Sequence, residues 1–467
     1  MHRERNAVDV VGAGVWHRTS LSVRAPGPMQ VSRRASVNSE FGNSEFGHNF
    51  TDSGPGGLGS KTMVVSPSSH RFTRRLSAAA LACTAVAGMA LTTPAAHADT
   101  TPTPVWSGLD ARSYDGPIGA HGTLLAKTPL DASINLPAAG SAYRILYSSP
   151  DFDGKPAVST GAVFLPKRPA PAGGHKVIAW AHGTVGLGDT CTPSAQPRSD
   201  RDIAYLGHWL DQGYAVVATD YVGLGTPGLM SYLSGQVEAT STVDSVIAAQ
   251  QAGLPLSKTW AIVGQSQGAG AALNAARRAT SLSKGAGLDY RGVVATGTPA
   301  NIEHIVWQAG PQVPPVALPS GLTTYTAYII AGFTDARTDL HPERVLSAEG
   351  RRVVRLAEKL CYPELKTALG GAKINSWFTR PLASIPGVQA ALVDYMSTPY
   401  SGYDRPIFLG QGLKDIDVPA PSAISLYAQM KAAGQPVDFH VYPTQDHSGT
   451  VLASMKDSTP FLKRIMR

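Results

Sequence analysis

Short, near-continuous apolar runs recur along the chain at Lys176–Ala181, Tyr214–Thr219, Thr259–Val263 and Arg291–Thr296. Such a run predicts a strand buried on both faces. Between the first two, Asp200–Gln212 puts Ile203, Leu206 and Leu210 on one helical face. Ser241–Gln251 does the same with Val243, Val246 and Ile247, and a Gly/Ala-rich helix is expected from Ser266 to about Arg278. Asp220–Gly228 reads as a loop. Tyr143–Tyr147 and Gly161–Leu165 add strands at the front, and Pro406–Leu409 and Val437–Tyr442 add two at the end. Strands alternating with helices predict an α/β architecture, a mostly parallel sheet flanked by helices.

From 301 to 403 that rhythm stops. Arg344–Leu360 has helical spacing, and Pro and aromatic residues are frequent around it. This segment is expected to be an inserted helical cap, dividing the core into 141–300 and 404–467. Residues 99–140, punctuated by Pro and Gly, are expected to wrap the surface.

Composition narrows the class. With 43% hydrophobic and 16% charged residues the chain is globular rather than disordered. The formal charge of +7 suggests an anionic partner until it is located. Residues 1–98 hold ten Lys/Arg against five Asp/Glu, leaving 30 against 28 for the rest. No basic run interleaved with aromatics follows, so no nucleic-acid partner is implied. The basic part reads as a targeting segment: Arg71, Arg74 and Arg75, then Leu76 to about Thr92, then Ala96-His97-Ala98. Residues 63–98 are therefore expected to be a secretory signal peptide starting at Met63, and 1–62 a non-native N-terminal extension. The apolar stretch is Ala-rich and shorter than the ~20 residues a membrane span needs, so no permanent anchor is expected. The mature chain would be secreted and extracellular. Cys83 leaves with the signal, and Cys191 and Cys361 remain as an even pair, expected to form a disulfide in an oxidising compartment.

Gly264-Gln265-Ser266-Gln267-Gly268 matches G-x-S-x-G between a predicted buried strand and a predicted helix. The tight turn needs glycine on either side of the serine, and the helix directs its first amides at the reaction centre. A serine nucleophile needs a base, and the base needs an orienting carboxylate, in the chain order Ser, acid, His. Asp415 follows the strand 406–409, with Asp417 as its rival. His447 follows the last strand in an expected loop, whereas His440 lies within a strand and should pack. Ala181-His182-Gly183-Thr184 follows an early strand. The oxyanion would be held by backbone N–H groups of Gln267 and of Thr184 or its neighbour Gly183. Gly223-x-Gly225-x-x-Gly228 mimics a dinucleotide fingerprint, but Pro227 keeps it from opening a helix. No Cys/His spacing suits a metal, and no cofactor is implied.

Together, Trp180–Thr184, Cys191-Thr192-Pro193-Ser194, Asp220–Gly225 and Gly264–Gly268 resemble the secretory lipase family, across roughly 141–467. The resemblance implies an α/β-hydrolase core, a helical cap after the nucleophile strand, and hydrolysis of lipid or other apolar esters. A short-chain esterase, an acyltransferase, a serine peptidase and a binding module retaining the fold are the alternatives. The cysteine usage departs from the yeast members, which carry a second disulfide near the C-terminus.

Overall fold

The computed structural model describes residues 100–467; the expected extension, start and signal segment at 1–98 lie outside the described residues. Nine strands form one sheet: β1 (Leu124–Pro129), β2 (Ala139–Pro150), β3 (Pro156–Pro166), β4 (His175–Ala181), β5 (Ala215–Thr219), β6 (Leu256–Gln265), β7 (Asp289–Thr296), β8 (Ile407–Gly412) and β9 (Val437–Tyr442). Their order is β1-β2-β3-β5-β4-β6-β7-β8-β9. β1, β2, β3 and β5 pair antiparallel in turn, and β5-β4-β6-β7-β8-β9 are parallel.

The helices among the described residues are α1 (Asp200–Asp211), α2 (Gly235–Gln250), α3 (Gln267–Ser283), α4 (Glu303–Val306), α5 (Ser320–Ala336), α6 (Ala348–Ala357), α7 (Tyr362–Ala368), α8 (Val388–Met396), α9 (Ala420–Ala432), α10 (His447–Ala453) and α11 (Met455–Ile465). Strand periodicity sorts the core into two layers. Val177 and Ala179 of β4 pack with residues of α2, α3 and the cap, while Ile178 and Trp180 pack with residues of α1 and α11. Both faces are covered, which is why the parallel strands read as unbroken apolar runs.

Two boundaries differ from the sequence pattern. The stretch expected only to wrap the surface contributes β1, an edge strand without full burial, whose sequence Leu-Leu-Ala-Lys-Thr-Pro lacks clean alternation. α2 begins at Gly235 rather than Ser241, capped by Ser234. Its first turns carry Gln236 and Glu238, which broke the apolar spacing, yet Glu238 is buried. The cap is helical, α4 to α8, as expected. Tyr328, Ile330, Trp377 and Phe378 form its interior. The apolar stretch Val313–Leu318 does not join them: Val316 is 57% exposed.

Candidate active site

Ser266 stands between β6 and α3 with φ 59° and ψ −127°. A serine at positive φ is strained and needs its surroundings to hold it. Its N–H donates to Thr296 O at 2.9 Å, and its carbonyl accepts from Ala269 N–H at 2.8 Å. The flanking glycines are there for close approach: a Cβ on Gly264 would sit 2.0 Å from Gly268 O, and one on Gly268 would sit 1.9 Å from Ala181 O.

His447 is not in a loop but opens α10, one residue after the cap Asp446. Its Nδ1 lies 2.7 Å from Asp415 Oδ2. Asp415 is itself fixed: Oδ1 accepts from the N–H groups of Asp417 at 3.0 Å and Val418 at 2.8 Å, and Gln411 Nε2 donates to Oδ2 at 3.3 Å. Gly297, at φ 60°, makes room for the pair, since a Cβ there would lie 2.8 Å from His447 Cε1. Asp417 turns instead to the cap and accepts from the Tyr325 hydroxyl at 3.0 Å. His440 stacks on Phe408 with centroids 4.5 Å apart, the packing role its strand position suggested.

The other ring nitrogen of His447 is engaged by a residue the motif left anonymous. Gln265 Nε2 is 2.9 Å from His447 Nε2, and among the described residues no hydrogen bond joins Ser266 Oγ to His447. Gly183 closes the opposite side: a Cβ on it would lie 3.4 Å from Ser266 Cβ. His182 is fully buried, its Nδ1 2.7 Å from Gly183 O and its ring 4.5 Å from that of Tyr221. Burial holds its pKa below the usual histidine range. Thr184 Oγ1 meets the Tyr232 hydroxyl at 2.5 Å. Gln267, first residue of α3, has no intrahelical acceptor for its N–H. Its side chain donates to Glu238 Oε1 at 2.7 Å.

Cys191 and Cys361 form a disulfide across 170 residues, with Cα atoms 5.3 Å apart. Beside it Tyr362 N–H donates to Val185 O at 2.8 Å, so the cap is fastened to the segment that follows Gly183. The remaining family-like motifs also converge. Ser194 N–H donates to Asp220 Oδ1 at 2.8 Å, and a Cβ on Gly225 would strike Thr192 Oγ1 at 2.1 Å. The glycine-rich loop thus packs against the Cys191–Ser194 turn. Among the described residues no group of three metal-ligating side chains is gathered.

Two cavities meet at Ser266. One, about 560 Å³, lies against Gly183, Thr184, Arg198, Asp202 and His447, with polar and apolar walls mixed. The other, about 460 Å³, is walled by Ile302, Ile305, Leu318, Leu322 and Ile329 of the cap, with Leu233 and Val418 from the core. Ser266, Tyr325 and Asp417 border both.

A strained serine at a β6–α3 turn, with acid and histidine after later parallel strands, defines an α/β-hydrolase. Solved structures share that fold: Candida antarctica lipase A in its closed state (TM-score 0.59, 20% identity, 79% of this chain and 85% of that one). The rice cell wall degrading esterase LipA from Xanthomonas oryzae also matches (TM-score 0.58, 20% identity, 75% and 100%). So does a putative hydrolase from Legionella pneumophila (TM-score 0.59, 20% identity, 74% and 98%). No curated protein sequence matches the chain. The model of the secretory lipase family matches residues 198–342, bearing out the resemblance its motifs carry, and the prolyl oligopeptidase family model matches 375–466. The chain thus has the α/β-hydrolase fold, and its similarities run to lipases and esterases.

Proposed function

We propose that Ser266, His447 and Asp415 form the catalytic triad of this hydrolase, and that the apolar cavity under the cap receives the acyl chain. The observation that carries the reading is the 2.7 Å contact of His447 with Asp415 beside the strained Ser266 turn. In it, Asp415 holds the Nδ1–H tautomer, leaving Nε2 free to take the proton of Ser266 Oγ once the Gln265 amide lets go of it. Hydrogen bonds of a resting site often tighten only with substrate bound. Ser266 Oγ then adds to the ester carbonyl, whose oxyanion is met by the N–H groups of Gln267 and of Thr184 or Gly183. His447 returns the proton to the departing alcohol. Water, deprotonated by His447, cleaves the acyl-enzyme and regenerates Ser266.

The two cavities give the ester its direction. An acyl chain gains about 0.8 kcal/mol per CH₂ removed from water, so it belongs in the more apolar cavity, and the alcohol belongs in the mixed one, where Arg198 and Asp202 stand. Ile305, 71% exposed, and Leu318, 39% exposed, extend the apolar lining to the surface. This suits a lipid ester. The disulfide and the signal-like segment support work outside the cell, and among the described residues no helix is long and apolar enough to cross a membrane.

The prolyl oligopeptidase match over 375–466 favours a second reading, a serine peptidase. A fluorophosphonate ester probe should label Ser266 once per chain, and octanoate esters should be turned over while matched amides are not. Labelling at another residue would remove the triad assignment. Amides outpacing esters would favour the peptidase.

A further inference from the structure

Glu238 is a carboxylic acid 1% exposed within α2. Its Oε1 accepts from Gln267 Nε2 at 2.7 Å and from Leu233 N–H at 2.9 Å. Leu233 is held at φ 62°, a conformation leucine avoids without outside support. The residue before it, Tyr232, bonds Thr184 at 2.5 Å. One buried oxygen therefore connects the residue after Ser266 with the loop on the opposite side. We infer that Glu238 is a positioning residue of the acyl-transfer site, its carboxyl fixing Gln267 directly and Thr184 through Leu233 and Tyr232, so that both oxyanion donors keep their separation.

The inference rests on the triad reading above. The groups facing Glu238 are Gln267 from α3, Leu233 from the turn before α2, and the phenols of Tyr221, Tyr232 and Tyr395, the last from α8. No cation is among them. Burial pushes the Glu238 carboxyl up to about 8. Around neutrality it is a neutral acid, which accepts from both N–H groups without setting a charge near the oxyanion. Once ionised, it places a negative charge beside a transition state of the same sign. Glu238 thus becomes a brake on the reaction in alkaline solution.

The test is kcat and KM for a neutral octanoate ester from pH 6 to 9.5, on active sites counted by fluorophosphonate burst. Wild type should lose kcat with a midpoint near 8. Glu238→Leu, which keeps bulk but no acceptor, should lose about tenfold or more in kcat with KM little moved, a part of what one oxyanion donor is worth. Glu238→Gln keeps the acceptor oxygen, so it should recover most of that kcat and lack the alkaline descent. Should Glu238→Leu fail to fold, the Glu238→Gln profile decides alone. A Glu238→Gln profile superimposable on wild type, or a Glu238→Leu enzyme with full kcat, would overturn the inference. If wild type shows no burst and no label on Ser266, the triad reading has failed instead.

Discussion

β6 and α5 approach the same serine from two sides, and their sequences obey different demands. β6 buries Trp260 to Gln265 without a break and leads into Ser266. α5 packs Ala327, Tyr328 and Ala331 inside the cap and gives Leu322, Tyr325, Thr326 and Ile329 to the apolar cavity. Those four positions are spaced as i, i+3, i+4 and i+7, one stripe of a helix. The sheet edge must hold a few atoms to fractions of an ångström, and its strain, close glycines and saturated Asp415 do so. The cap has only to offer shape and dryness. Changes in the core should therefore cost rate, and changes in the cap should alter which ester is chosen.

The largest effect tests the core. Ser266→Ala and His447→Ala are expected to lower kcat by ~10³-fold or more with the melting temperature retained. Asp415→Asn should be far more damaging than Asp417→Asn, because Asp417 touches Tyr325 and not His447. An inactive Asp417→Asn with a working Asp415→Asn would reverse the assignment. Next comes the seam between the regions. Cys361→Ser opens a 170-residue loop, and the chain-entropy model puts the loss at roughly 4–5 kcal/mol as an upper figure. Thermal unfolding should show it, and added reductant should destabilise wild type but not the variant.

The cap should answer with selectivity. Leu322→Trp fills the cavity and should depress kcat/KM for octanoate about tenfold while leaving acetate within twofold, the size of discrimination one or two methylenes supply. An equal loss on both esters would mean the acyl chain lies elsewhere. The last effect is on stability and is graded with pH. The Glu238 carboxyl is raised from 4.5 to about 8 on folding, so the folded state binds its proton more tightly. That contribution is fully present below pH 4.5 and lost as pH rises through 8. The melting temperature of wild type should fall relative to Glu238→Gln between pH 5 and 9.

The core was legible in the sequence because burial on both faces leaves unbroken apolar runs, and β9 falls at the expected Val437–Tyr442. The G-x-S-x-G turn was legible because its glycines answer a steric demand, now visible at 2.0 and 1.9 Å. Ser266, Asp415 and His447 are proposed from their order after strands, and the choice between Asp415 and Asp417, two residues apart, is a matter of spacing alone. The contacts of Gln265, Glu238 and Tyr325 escaped notice. Each residue acts through a contact with another element, 182 residues away for Gln265 with His447, 92 for Tyr325 with Asp417 and 29 for Glu238 with Gln267, and a single sequence carries no trace of such pairing. Glu238 left no sign either, because Ser241, Thr242 and Ser245 share its helix face. The stripe on α5 is hidden in the sequence, because its apolar inward side and its apolar cavity side merge into one run, Tyr325–Ile330.

The division of labour between sheet and cap is tested most directly by kcat/KM of the wild-type enzyme along acetate, butyrate, hexanoate and octanoate esters of one alcohol. A chain entering the cavity under α5 gains up to about fourfold per CH₂, so the values should climb from acetate to at least butyrate or octanoate. Flat or falling values would contradict the account, leaving a short-chain esterase whose cap cavity takes no part in choosing the substrate.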